Sequence, residues 1–409
     1  MQVNQTIFPD GNGNQATQTF FLLNFDVTDG GSSNLTNVSF YIQVLSPKIA
    51  SSSSEKHNSA EAFPLFLTQW NHLSWAHAGL SRGYVSVVYP GGDTRDAAPL
   101  FQAAYPNASM MLILARAFVL SRTLDFLLSH RETDFPILNG QVCVTGHSRN
   151  GKQSLIAAAF DTRITAVVGS SPGAPIAAPY HFSSANFYGE GPNAGEAGHW
   201  WLPSIVDFTA HPEKLPMDGH GVLALIAPRA VMLSHGWTDA EGDLTFANEM
   251  SVRAASEVFS LLNASSALGL ANRAGDHHGF LDLQSYFDWF DLSLHRLPAP
   301  VFPLAGTNYP MAPFTRVYQT AAGFEYRTWE TLFGQPPFTP PPPARSQPLA
   351  NRIQWLLQGP GAGVRGTGSS YAEDGAGRFG YIAVMMGRDL EQHSTGDLTF
   401  NPNFPHNPE

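Results

Sequence analysis

A serine, a carboxylate and a histidine are the side chains with which a protein builds a nucleophile, its base and the group that orients the base. The first of these stands in Gly146-His147-Ser148-Arg149-Asn150-Gly151-Lys152. The run Gln141-Val142-Cys143-Val144-Thr145 before it reads as a buried strand, and Gln153 to Phe160 after it reads as a helix packed by small residues. A serine on so sharp a strand-to-helix turn is lifted off the sheet, and the first amides of the helix point at the place where an oxyanion forms. The usual pattern is Gly-x-Ser-x-Gly, and here the second glycine comes one residue late. Taken alone, the stretch also fits an ordinary Gly-Ser turn capping a helix.

An alkyl hydroxyl needs an imidazole to take its proton and a carboxylate to fix the imidazole's tautomer. Downstream, Arg229 to Ser234 reads as a strand running into His235-Gly236-Trp237-Thr238-Asp239. A carboxylate just past the C-terminal end of a parallel strand lies on the ligand-binding edge of the sheet, which makes Asp239 the candidate acid. Glu241 and Asp243 share its loop and are the alternates. Leu268 to Arg273 then leads into Ala274-Gly275-Asp276-His277-His278-Gly279, followed by the helical pattern Tyr286 to Phe290. A histidine of that loop, His277 or His278, is the candidate base. The order serine, acid, histidine is that of the α/β-hydrolase fold. The expected architecture is therefore α/β, a three-layer sandwich with a mostly parallel central sheet.

The elements that must position these residues follow the same plan. Phe20 to Phe25 and Val38 to Val44 read as antiparallel edge strands, and Phe63 to Trp70 and Tyr84 to Tyr89 as strands buried on both faces. Ala98 to Ser129 turns helical, with Met110, Leu112, Leu114, Ala117, Leu120, Leu124 and Leu127 recurring mostly at three and four residues. Thr162 to Gly169 is the next strand. Gly, Pro, His and aromatic residues from about 172 to 216 then interrupt the alternation, as expected of an insertion over the active-site edge. The main domain is placed at 1–296. Residues 297–409 form a Pro-rich linker, with the run Pro340 to Pro343, and a C-terminal extension expected to pack back on that domain. The extension holds a helical patch, Ile353 to Leu357, and a strand-like patch, Phe379 to Met386.

Composition limits the alternatives. The chain of 409 residues is 43% hydrophobic with a formal charge of −11 and no basic block, which argues against nucleic acid as a partner. No apolar stretch is long enough to span a membrane. The single cysteine, Cys143, excludes an intrachain disulfide and a cysteine-rich metal site, and its apolar neighbours mark it as a buried spectator. His72, His199 and His220 are scattered, not spaced as metal ligands, so neither metal nor organic cofactor is expected. Met1-Gln2-Val3-Asn4 opens without a charged-then-apolar leader, which fits a mature secreted or periplasmic chain or one that stays where it is made. Sequons at Asn4, Asn34, Asn37, Asn107 and Asn263 lean slightly toward secretion.

The elbow resembles the Gly-Cys-Ser-Arg-x-Gly-Lys motif of the glucuronoyl esterases, carbohydrate esterase family 15. The resemblance extends through Gln69-Trp70-Asn71-His72, Arg116-Ala117, His199-Trp200-Trp201, Lys214 to Asp218 and Leu223 to Arg229. It implies that Ser148 is the nucleophile, that Arg149 helps the backbone amides hold the oxyanion, and that Lys152 contacts sugar hydroxyls. His277 matches the family's base. Fungal members carry a glutamate acid where this chain has Gly169-Ser170-Ser171-Pro172, whereas the bacterial pattern points to Asp239. His147 replaces the fungal cysteine. The tryptophan that often follows the acid is replaced by Ala240-Glu241-Gly242-Asp243, leaving Trp237, Trp200 or Trp201 as the candidate sugar platform. Three functions stay open: hydrolysis of glucuronate esters of plant or algal polysaccharide, a general carboxylesterase or acetyl esterase, and a silent binding protein on a hydrolase scaffold.

Overall fold

The pleat of the central strands deals their apolar side chains alternately to two cores, and this division builds the whole molecule. In the computed structural model the described residues are 2–9, 14–28, 35–47, 62–131, 134–179, 200–208, 214–236, 239, 245–273, 277, 283–296, 316–320 and 323–327. The strands are β1 (Gln2–Pro9), β2 (Gln15–Thr28), β3 (Leu35–Pro47), β4 (Phe63–Gln69), β5 (Val85–Tyr89), β6 (Gly91–Gly92), β7 (Arg95–Asp96), β8 (Ile137–His147), β9 (Ala166–Ser170), β10 (Ala230–Gly236), β11 (Leu268–Arg273), β12 (Arg316–Thr320) and β13 (Gly323–Arg327). The helices are α1 (Leu73–Ser81), α2 (Ala98–Ala104), α3 (Leu112–Ser129), α4 (Arg149–Phe160), α5 (Gly219–Ile226), α6 (Thr245–Leu261) and α7 (Leu283–Ser293).

One sheet runs in the order β1-β2-β3-β5-β4-β8-β9-β10-β11-β12-β13. From β5 through β12 the pairing is parallel, and antiparallel strands close both ends. Leu65 and Leu67 of β4, Val142 and Val144 of β8, Val167 of β9, and Val231 and Leu233 of β10 face the larger core, with α2, α3, α4, α5 and α6. Phe66, Cys143, Val168 and Met232, the alternate positions, face a second core with Trp75 of α1 and Tyr286, Phe287, Trp289 and Phe290 of α7. This is a three-layer α/β sandwich, and Cys143 is wholly buried within it.

Several elements differ from the sequence expectation for local reasons. The helical stretch 98–129 is two helices, because Pro106 lacks the amide a continuous helix needs and Tyr105 closes the first by donating to Phe101 O. The strand expected from Thr162 begins at Ala166. Asp161 ties up the preceding residues as a turn, accepting from the amide of Arg163 at 3.1 Å. Trp70 leaves β4 for a single 3-10 turn, Trp70–His72. The patches Ile353–Leu357 and Phe379–Met386 lie outside the described residues. Among those residues, no helix is long and apolar enough to cross a membrane.

Candidate active site

Ser148 stands between β8 and α4 at φ 56° and ψ −128°, in the left-handed half of backbone space where an L side chain is strained. The turn is held on both sides: the Ser148 amide donates to Ser170 O at 2.8 Å, and its carbonyl accepts from the Lys152 amide at 3.0 Å. Gly146 is obligatory, since a Cβ there would meet the Asn150 carbonyl oxygen at 2.4 Å and Gln69 Oε1 at 2.5 Å. Gly151 packs on the tip of β9, where a Cβ would fall 2.9 Å from Ser170 O. This contact explains why the second glycine of the motif comes late: the close approach falls at 151, and position 150 points elsewhere. Asn150 there donates through Nδ2 to His72 Nε2 at 3.1 Å.

His72 accepts this bond as a neutral imidazole, because burial pulls its pKa down from 6.5 to about 4. Its ring stacks on Trp75 at 4.2 Å between centroids. Beneath the elbow, Gln69 Nε2 donates to Tyr89 Oη at 2.8 Å and Ser154 Oγ at 2.9 Å, so the tip of β4 and the first turns of α4 are locked together.

Asp239 follows the tip of β10, and His277 follows β11. Both side chains are almost wholly buried, and His277 Nδ1 lies 3.0 Å from Asp239 Oδ1 and 3.1 Å from Oδ2. Burial acts to raise the Asp239 pKa, but the charge of His235, the hydrogen bond and charge of His277, and a hydrogen bond from Ser171 together hold it well below the usual carboxylate range. The carboxylate is therefore ionised. A carboxylate bonded to Nδ1 makes Nε2 the nitrogen that exchanges a proton with a reactant in such a pair. His235 Nδ1 lies 3.8 Å from Asp239 Oδ2, so the acid sits between two imidazoles.

The imidazole is also backed by His147, the residue before the serine, whose ring centroid is 4.7 Å from that of His277. His147 Nδ1 lies 3.1 Å from Ser170 Oγ, which is 2.8 Å from Tyr286 Oη. Ser148, Ser171, Asp239 and His277 thus all stand at the C-terminal ends of neighbouring parallel strands. That edge is where ligands bind in open α/β sheets.

Arg149 and Lys152 extend the site along α4. The Arg149 guanidinium lies 4.7 Å from the ring centroid of Trp200 and pairs with Asp93 at 2.9 Å. Lys152 is wholly buried, donates to the carbonyl of Pro172, and lies with Nζ 6.0 Å from the Trp200 ring centroid. Trp237, His278, Glu241 and Asp243 lie outside the described residues. Sequence reasoning missed His147, His235, Ser171 and Asp93 as neighbours of the site. A polar residue at a strand tip was the available signal for Ser171 and His235. Among the described residues, no group of three or more His, Cys, Asp or Glu is arranged to hold a metal ion.

The sheet order and the placing of this site at the strand tips are those of the α/β-hydrolase fold. A family model described as glucuronyl esterase of fungi matches residues 86–263. The chain is 35% identical over 137 residues to Carbohydrate esterase MZ0003 from an unknown prokaryotic organism, covering 32% of this chain and 30% of that protein. It is 31% identical over 200 residues to 4-O-methyl-glucuronoyl methylesterase 1 of Phanerochaete chrysosporium, covering 44% of this chain and 37% of that protein. The matches thus span about a third of the length of these two relatives. Among solved structures, a glucuronoyl esterase of carbohydrate esterase family 15 from Caldicellulosiruptor kristjansonii aligns with a TM-score of 0.54 at 24% identity, over 72% of this chain and 80% of that one. The sequence matches and the structural alignment thus point to the same set of proteins, the glucuronoyl esterases of carbohydrate esterase family 15, as what this chain is similar to.

Proposed function

We propose that this protein is a serine esterase that hydrolyses glucuronate esters of plant or algal polysaccharide through an acyl-enzyme. Ser148 attacks the ester carbonyl while His277 takes its proton, and Asp239 stabilises the imidazolium. The oxyanion is held by backbone amides at the start of α4 with help from Arg149. His277 returns the proton to the departing alcohol, and water then releases the acid by the same steps. Lys152 and Trp200 form the sugar-facing wall, with Trp237 as a second aromatic candidate. No cofactor takes part.

The observation that carries this reading is the bonded His277–Asp239 pair at the same sheet edge as a serine held in strained backbone. The glucuronate part is supported by the match to a 4-O-methyl-glucuronoyl methylesterase. Residues 1–296 form the catalytic domain; pairing of β12 with β11 supports the packing of part of 297–409 against it. A polymeric ester fits action in a secreted or periplasmic setting.

The test joins two measurements. A fluorophosphonate probe should label the native chain and leave Ser148→Ala unlabelled. Hydrolysis of benzyl glucuronate should exceed that of p-nitrophenyl acetate in kcat/KM. An unlabelled native chain ends the esterase reading, whereas preference for the acetate keeps the esterase and discards the glucuronate.

A further inference from the structure

We infer that Asp93 is a positioning residue that holds the Arg149 guanidinium against Trp200, at the edge of the site. This rests on the esterase reading, in which Arg149 assists the oxyanion. The two oxygens of Asp93 serve two different arginines: Oδ1 accepts from Arg116 Nη2 at 3.0 Å, and Oδ2 pairs with Arg149 Nη2 at 2.9 Å. Arg116 is 3% exposed and also donates through Nε to Asp96 Oδ2 at 2.9 Å. A buried arginine held by a second carboxylate is a fixed anchor, so the charge order Asp96, Arg116, Asp93, Arg149 runs from the protein interior to the site.

The segment carrying Asp93 is itself clamped. It is the turn of the β6–β7 hairpin, where Gly91 O accepts from Gln153 Nε2 at 2.8 Å and Ala97 N donates to Pro90 O at 2.8 Å. Thr94 Oγ1 donates to Asn71 Oδ1 at 3.2 Å. The side chains of Arg149 and Asp93 are 38% and 44% exposed, so their ion pair adds little to stability. Its value lies in fixing a long, solvent-reaching side chain before substrate arrives, since ordering it during the reaction would raise the barrier. The neighbouring carboxylate also weakens the pull of Arg149 on a third charge, but a loose guanidinium in water is screened more strongly still.

The experiment is a double-mutant cycle in the full chain with benzyl glucuronate as substrate. Asp93→Asn should lower kcat about tenfold with KM within about twofold, and Arg149→Ala should lower kcat about a hundredfold. The double variant should match Arg149→Ala, because the first change acts only through the second. Asp96 still holds Arg116, so the thermal midpoint of Asp93→Asn should stay near that of the native protein. Should that variant not fold, Asp93→Ser is read the same way. An unchanged or raised kcat, or losses that multiply, overturns the inference. A native chain that cleaves no ester removes the esterase reading instead, and the crystal structure of Asp93→Asn then decides: a guanidinium still seated on Trp200 overturns the positioning role, and one that has left upholds it.

Discussion

His277 presents Nδ1 to both carboxylate oxygens of Asp239, at 3.0 and 3.1 Å, with neither side chain open to solvent. Asp239→Asn keeps the shape but offers Nδ1 a mixed partner and the wrong tautomer. In steady-state assays its kcat should fall about 10³- to 10⁴-fold with little change in KM. His277→Ala should fall as far, while His278→Ala and Glu241→Gln keep near-native rates. A large loss in either of the last two would move the role to that alternate.

His72 makes stability depend on pH. The unfolded chain binds a proton near 6.5 and the folded chain only near pKa about 4, so between those values the unfolded state holds more protons. Stability from this group is complete above about pH 6.5 and falls on acidification toward pH 4, by on the order of 2 kcal/mol after allowance for partial exposure. His72→Gln, which can still accept from Asn150, should flatten that limb in urea unfolding measured at pH 7, 5.5 and 4.5. An unchanged slope refutes the assignment.

Gly146→Ala drives a methyl into the Asn150 carbonyl oxygen, 2.4 Å from the ideal Cβ position. Either the elbow opens or α4 shifts. The expected cost is on the order of 2–4 kcal/mol, seen as a lowered thermal midpoint, together with slower probe labelling of Ser148. Full labelling at a native midpoint would mean that the turn yields freely.

Lys152 is wholly buried, with its ammonium on the Pro172 carbonyl. Lys152→Met fills most of the volume but leaves that carbonyl without the ammonium's hydrogen bond, a loss of about 1–3 kcal/mol. If the lysine also meets sugar hydroxyls, KM for benzyl glucuronate should rise while KM for p-nitrophenyl acetate stays put. Equal changes for both esters would confine Lys152 to packing.

Much of this was legible in the sequence, and the reasons are local. The elbow is written in seven contiguous residues, and strand alternation at Leu65, Phe66 and Leu67, or Val142, Cys143 and Val144, assigns each face of the sheet. What escaped depends on contacts between distant segments. Asp93 and Arg149 are far apart in the chain, and no spacing rule links a hairpin turn to a helix start. The burial of Lys152 could not be read from its own helix, because Trp200 and Pro172 come from later segments. The break at Pro106 was visible, but the apolar periodicity continues across it and masked the stop.

Ser171 and Asp239 touch across adjoining strand ends, so two neighbouring tips of the sheet share one carboxylate. The polar groups of the rim can therefore be rewritten by substitution while the strands beneath keep their packing.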